Sequence, residues 1–448
     1  MSGPLRERVL QRLACLGETR QVWVAFSGGL DSHVLLHVLG AERQRLPGAL
    51  GAVHVDHGLH PDSGDWARHC TAVCAQLEVP LVTLAGHVRR GAGESPEAAA
   101  REARYRALER WLPAGAVLLT AHHQDDQAET LVLQLLRGAG PHGLAAMAAA
   151  APFANGWLGR PLLPESRAHL TEYARNHDLV WIDDPSNLDP GFDRNRLRRE
   201  IFPLLRERWP ALGATLARSA GHQAEAAALL DELAAEDAAR AQRSAGTTLS
   251  VSVLRELPGP RRRNLLRYWL RRRGLRPPSS ARLARMEHDL LTERADGQPC
   301  VAWAKVQVRR YRDRLYVTER LSPPDPRARM HWQPPTPLSL PRAGGVLEAL
   351  PARGQGLAVA CLRGAAVEIG FRRGGERLRP AGRGGRHALK KLLQERGIPP
   401  WERERLPLVF VDGELAAVAG QWVCEGFQAE GDAEGLCLCW SRLPAWVC

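Results

Sequence analysis

The absences in this chain narrow its possible roles first. Its 448 residues contain no run of 18 or more apolar residues, so no membrane-spanning helix is expected. The opening stretch MSGPLRERVLQRLACLGETRQ is charged throughout and lacks the apolar centre of a secretory signal, which makes the cytoplasm the expected location. Nine cysteines are scattered, an odd number without the spacing of a disulfide framework, which fits a reducing compartment. No Cys-x-x-Cys pair occurs, and no cysteine lies between Cys74 and Cys300. Cys70 and Cys74 share a helical stripe with Ala67 and Leu77 and read as core, while Cys437 and Cys439 fit alternate positions of a strand. There are no internal repeats, and no glycine-rich loop ending in Gly-Lys-Ser/Thr.

What is present is ordinary in amount and uneven in placement. A 44% hydrophobic and 25% charged composition belongs to a globular protein, long enough for two to four domains. The balance is basic: 61 Lys+Arg against 49 Asp+Glu, a net charge of +12. Arginine dominates the excess and gathers in tracts at 194–199, 261–263 and 271–273. Guanidinium groups pair with phosphates and stack on bases, so a polyanionic partner is favoured.

The first 125 residues alternate short apolar runs (21–26, 49–56, 80–84, 116–121) with helical segments, which predicts βαβ units and a parallel sheet covered on both faces. Ligands of such sheets bind at the carboxyl ends of the strands. From about 165 the pattern turns helical, and 211–242 reads as one long Ala-rich helix linking two parts of the molecule. Its apolar faces could serve a homodimer. The Pro-rich stretch 322–345 marks a boundary. The expected organisation is therefore a catalytic α/β domain over 1–210, a helical and mixed middle domain over 211–325, and a small α+β domain over 346–448.

The sharpest signal is Ser27-Gly28-Gly29-Leu30-Asp31-Ser32, set between the first strand and first helix. Paired glycines allow a tight turn that turns backbone N–H groups toward a phosphate, and the helix adds its positive end. A carboxylate touching phosphate oxygens would be repelled, so Asp31 is expected to coordinate Mg²⁺. His54 and Asp56 end the second strand beside this turn, as does His57. Asp126 and Glu129 follow the fourth strand, three apart on a predicted helix, so their carboxylates share a face. Two acids near Asp31 could hold Mg²⁺, or bind a cationic amine and take its proton. Arg101 and Arg104 share a face of the preceding helix and could reach a phosphate or a carboxylate.

Ser27–Ser32 matches the PP-loop of enzymes that cleave ATP between its α and β phosphates. Within that class, the blocks 54–63, 97–108, 121–147, 160–163, 181–205 and 371–410 resemble the tRNA(Ile)-lysidine synthases, so the resemblance covers nearly the whole chain. It implies a two-step ligation. The C2 oxygen of a wobble cytidine attacks the α-phosphorus of ATP, and free L-lysine then displaces AMP. It also implies ATP contacts at Ser27, Gly28, Gly29, Leu30, Asp31, Ser32, His54 and Asp56, and catalytic roles for Asp31, Arg104, Asp126 and Glu129. Mg²⁺ would fall to Asp31 and Asp126. Contacts to tRNA(Ile) are implied for Arg194, Arg196, Arg198, Arg373, Lys390, Lys391, Arg403 and Arg405, with Trp401 as a stacking partner if it is exposed. Thiolating members of the class generally need paired cysteines, and amidotransferase members need a glutaminase with a nucleophilic cysteine. Neither feature is found here.

Overall fold

The computed structural model describes residues 3–16, 19–56, 58, 62–86, 96–185, 191–243, 247–292, 299–304, 306–320, 322–340 and 343–441. The chain divides into two compact units, Met1–Leu230 and Asp231–Cys448.

In the first unit, α1 (Gly3–Ala14) precedes β1 (Gln21–Ala25), α2 (Leu30–Ala41), β2 (Ala49–Asp56), α3 (Ser63–Gln76), β3 (Leu81–Ala85), α4 (Pro96–Trp111) and β4 (Val117–Leu119). There follow α5 (Gln124–Leu136), α6 (Pro141–Leu144), β5 (Ala150–Phe153), β6 (Gly156–Gly159) and α7 (Arg167–Asn176). The sheet order is β3-β2-β1-β4-β6-β5. All neighbouring strands run parallel except β5, which pairs antiparallel with β6. The four expected strands all form. The β5–β6 hairpin was not expected; it turns through Ala154 at φ +49°.

Strand alternation sorts the core onto two faces. Val22, Val24, Val117 and Leu119 point toward Leu5, Val34, Leu35, Cys70 and Leu170, from α1, α2, α3 and α7. Val53, Leu118 and Leu158 point the other way, toward Leu108 and Leu112 at the α4 end. Cys70 and Cys74 lie in the first core, where burial pushes their thiols up to about 12 and about 11. The chain order β1, β2, β3 runs to one side and β4 lies on the other, so the strand order reverses between β1 and β4. That reversal opens a crevice at their carboxyl ends.

Beyond α7 come α8 (Asp193–Arg196), a π-helical turn (Leu197–Ile201), α9 (Phe202–Arg208) and α10 (Leu212–Ala241), the last closely matching the long helix read from sequence.

The second unit holds two structural bodies in sequence. The sheet β7 (Gln242–Arg243), β8 (Thr248–Ser250), β9 (Cys300–Trp303), β10 (Val306–Tyr311) and β11 (Arg314–Glu319) has the antiparallel order β7-β8-β11-β10-β9. It packs with α11 (Val251–Glu256), α12 (Gly259–Arg271) and α13 (Ser280–Leu291) around Trp269, Leu265, Leu290 and Val308. The last body has two antiparallel sheets around Leu347, Ile369 and Val409 and a short pair of Arg377–Leu378 with His387–Ala388. Helices α14 (Leu389–Glu395) and α15 (Pro400–Arg403) lie in the chain between the paired strands Val367–Gly370 and Leu408–Val411. Strand Arg329–His331 pairs with Val367–Gly370, and Leu338–Ser339 with Val346–Leu347. The Pro-rich stretch therefore contributes strands to this body, which starts well before residue 346.

Candidate active site

The turn after β1 is held from several sides. Gly28 has φ +81°, a left-handed conformation that a Cβ disfavours. An added Cβ would also sit 2.6 Å from Ile182 Cδ1 and 3.1 Å from Cys70 Sγ. The Ile182 amide donates to Gly28 O at 3.0 Å, so the 180–184 segment braces the turn from outside. Ser27 and Ser32 hydroxyls lie 3.1 Å apart, Ser32 Oγ donates to Gly29 O, and the Ser27 amide donates to Ser32 Oγ at 3.3 Å. His54 is buried and donates through Nδ1 to Phe26 O at 2.9 Å, so it fixes the end of β1 while lining the cleft. Asp56 accepts from the Gly58 amide. His57 lies outside the described residues.

Ser27, Gly29, Ser32, His54, Asp56 and Ile182 line a cavity of about 350 Å³, and Gly28 does not face it. Asp31, Arg101, Arg104, Tyr105, Thr120, His122 and Asp126 face it, with Asp183, Asp184 and Arg198. Arg101 Cζ stands 5.1 Å from the Tyr105 ring centroid. Burial lowers the pKa of Arg104, and the nearby Asp184 opposes that shift. Burial likewise pushes His122 down to about 3, so it is a neutral imidazole.

Behind the cavity is a charge cluster built from two helices. Asp126 Oδ2 accepts from the His123 amide at 3.0 Å at the start of α5, and Oδ1 accepts from Arg194 Nη2 at 2.9 Å and Arg198 Nη2 at 3.2 Å. Glu129, 1% exposed, takes Arg194 Nε at 2.6 Å and Arg198 Nε at 2.7 Å. The two acids are i and i+3 on α5, and the arginines are i and i+4 across α8 and the π-turn, so each pair shares a face. Burial would raise the Asp126 pKa, but His123 and Arg194 hold it at about 2. The imidazole of His123, itself 1% exposed, lies 3.6 Å from Asp31 Oδ2 and 3.4 Å from Asp126 Oδ2. Burial favours neutral His123, yet the hydrogen bond to Asp31 and the charges of Asp126 and Asp31 raise its pKa overall.

Several expected roles change in this geometry. Arg194 and Arg198, read as tRNA contacts, are bound to Asp126 and Glu129. Glu129 does not face the cavity. Arg196 is exposed and pairs with Glu200. Arg403 and Arg405 are buried, with guanidinium groups bonded to Ile398 O, Tyr311 Oη and Ser322 O, and Trp401 is only 8% exposed. None of these three presents a free face to RNA, because each is enclosed by neighbouring protein. Arg373 is exposed, with Nε donating to Pro326 O. Lys390 and Lys391 are exposed on α14. Sequence reading assigned no role to His123, Tyr105, Asp183 or Asp184. Two acids at i,i+3 and two arginines at i,i+4 were the available signal for the charge cluster.

An α/β sheet with the glycine-paired Ser27–Ser32 turn at its switch point has the form of a PP-loop protein, and the model described as "PP-loop domain" matches residues 4–205. Those described as "TilS substrate binding domain" and "TilS substrate C-terminal domain" match 249–316 and 367–440. The tRNA(Ile)-lysidine synthase of Methylococcus capsulatus is 46% identical, covering 93% of this chain and 95% of that one. Those of Alkalilimnicola ehrlichii and Coxiella burnetii are 45% and 40% identical, each over 96% of this chain and 96% and 95% of theirs. The chain belongs to the tRNA(Ile)-lysidine synthase family.

Proposed function

We propose that the chain joins free lysine to C2 of the wobble cytidine in a CAU-anticodon isoleucine tRNA, releasing AMP and pyrophosphate. The observation that supports this most directly is the meeting of the phosphate turn, the basic α4 face and the Asp126 cluster around one cavity. ATP would lie with its β and γ phosphates at the Ser27–Ser32 turn and its α phosphate toward the cleft. Arg101 and Arg104 offer positive charge where the α phosphate gathers negative charge in the transition state. The cytidine C2 oxygen forms a bond to the α-phosphorus as the bond to pyrophosphate breaks. Lysine nitrogen then bonds to C2, and the former C2 oxygen leaves on AMP. The amine is protonated in water and must first give up a proton; Asp126, held at about 2 with both oxygens engaged, is suited to attracting the ammonium rather than to accepting its proton. Glu129 acts by holding Arg194 and Arg198.

Asp31 Oδ1 is shielded from solvent and has no hydrogen-bond partner, which suits a cation ligand. Asp126 has both oxygens engaged, so Asp31 would carry most of the protein's share of Mg²⁺. Among the described residues no cage of three metal-ligating side chains occurs, which fits an ion held by one or two carboxylates and substrate phosphates. Bound there, Mg²⁺ would neutralise charge on the departing pyrophosphate. Sulfur transfer is disfavoured. Cys70, beside His54, has a thiol pushed up to about 12 and so little thiolate.

The test is single-turnover formation of AMP from labelled ATP with bacterial tRNA, each amino acid supplied separately. Release requiring both tRNA and lysine, and lost in Asp31→Ala, is expected. Release indifferent to lysine would keep the adenylating site and discard lysine as the nucleophile.

A further inference from the structure

Trp401 is buried yet belongs to none of the apolar cores of its own domain or the preceding one. Its ring meets residues of the middle body instead. Tyr316 and Tyr311 stand edge-on at 5.6 Å and 6.2 Å between centroids, and Arg309 Cζ lies 5.1 Å from the indole centroid. Two residues on, Arg403 Nη2 donates to Tyr311 Oη at 2.8 Å, while its Nε donates to Ile398 O at 2.6 Å. Arg312 of the β10–β11 turn reaches back, with Nη2 donating to Gln394 O at the end of α14 at 2.7 Å. Arg405 Nη2 donates to Ser322 O in the connecting segment. Arginines thus cross in both directions, around an aromatic peg.

We infer that Trp401, Arg403 and Tyr311 are positioning residues that lock the two substrate-handling domains of the second unit into one rigid body, so that a tRNA meets both in a fixed relation. This deepens the proposed function and rests on tRNA being the substrate. The physical reason is effective concentration: once one domain engages the tRNA, a locked second domain is already in register, whereas a loose one must be ordered on binding. The contacts suit this role. Edge-on aromatic pairs and a cation over an indole have defined geometry, and a buried arginine bonded to two acceptors resists rotation.

The full chain is tested as Trp401→Ala, Trp401→Phe, Tyr311→Ala and the double variant Trp401→Ala/Tyr311→Ala. Expected is a rise of about tenfold in KM for tRNA in each alanine variant, with kcat and the KM values for lysine and ATP within about twofold of the unaltered chain. Trp401→Phe should recover most of the loss. The double variant should resemble either single one, because removing either side opens the same joint. A tRNA KM that stays native in Trp401→Ala, kcat falling in parallel with it, or fully additive effects in the double variant would each overturn the inference. A readout free of tRNA separates this from the functional reading. In hydrogen exchange, opening the joint should lower protection at 309–316 and 398–405 together, leaving the cores around Trp269 and Val409 protected. Unchanged protection at both segments would also overturn the inference. Failure of the unaltered chain to form AMP with tRNA and lysine would instead remove the proposed function.

Discussion

Asp126 and Glu129 illustrate how a residue's role depends on what it faces. Their helical spacing was readable from sequence, and so was the arginine-rich block 194–199. That the two blocks neutralise one another was not, since 68 residues separate Asp126 from Arg194 and only the tertiary fold brings them together. Breaking a buried ion pair from one side leaves a charge without compensation, at a cost of about 3 to 5 kcal/mol, whereas exposed pairs contribute about 0 to 1 kcal/mol. Arg198→Ala should therefore lower stability by about 3 kcal/mol and suppress AMP formation. Arg196→Ala, which loses only the exposed contact to Glu200, should change stability by less than about 0.5 kcal/mol. Urea unfolding of the two variants, followed by fluorescence, makes the comparison. Equal losses would mean that the acids are not held by Arg198.

Between elements, the clearest tie is at Glu165, just ahead of α7. It accepts from Arg8 and Arg12 of α1 at 2.9 Å and 2.8 Å and lies 3.0 Å from His169 Nδ1. Burial would raise this carboxyl, but the hydrogen bonds from Arg8, Arg12 and His169 hold it at about 2 instead of the ordinary 4.5. A depressed carboxylate stabilises the fold above its unfolded pKa, and that stability drains away as pH falls toward the folded value. The first unit should thus lose on the order of 2 kcal/mol between pH 4.5 and pH 2 through this group, after allowance for screening at the partly exposed arginines. Glu165→Gln should be less stable at pH 7 and should lack that acid limb in denaturation curves taken across the range. Sequence periodicity showed the strands and helices of the first unit because their apolar runs are long enough to carry a period. The short β5–β6 hairpin and the ion pairs between α1 and the approach to α7 leave no such trace, because they depend on which elements become neighbours.

For the whole molecule, charge composition overstates what is offered to a polyanion. Arg261 pairs with Asp237, Arg262 and Arg263 with Glu287, and Arg271 with Asp231. Much of two arginine tracts is thus engaged within the protein. Lys390 and Lys391, by contrast, are exposed and carry two of the three lysines in the chain. A residue contacting phosphate releases counterions, so its removal flattens the salt dependence of binding by about one in logarithmic slope. Lys390→Ala and Lys391→Ala should each do so in tRNA binding titrated against salt, and Arg261→Ala should leave the slope as it was. Composition marked 322–345 as a Pro-rich boundary, and gave no sign that this stretch adds short edge strands to the sheets of the last body.

The π-helical turn at Leu197–Ile201 has a consequence for how this region can vary. Such a turn holds one more residue than an α-helical turn would, and it lies directly after Arg196 and contains Arg198. The match of Arg194 and Arg198 to their two acids therefore depends on a residue count. Losing one position between Arg194 and Arg198 would swing everything downstream by about a hundred degrees around the helix axis and carry Arg198 away from Glu129. Surface loops of related chains can grow or shrink freely, but through this stretch their lengths should agree residue for residue.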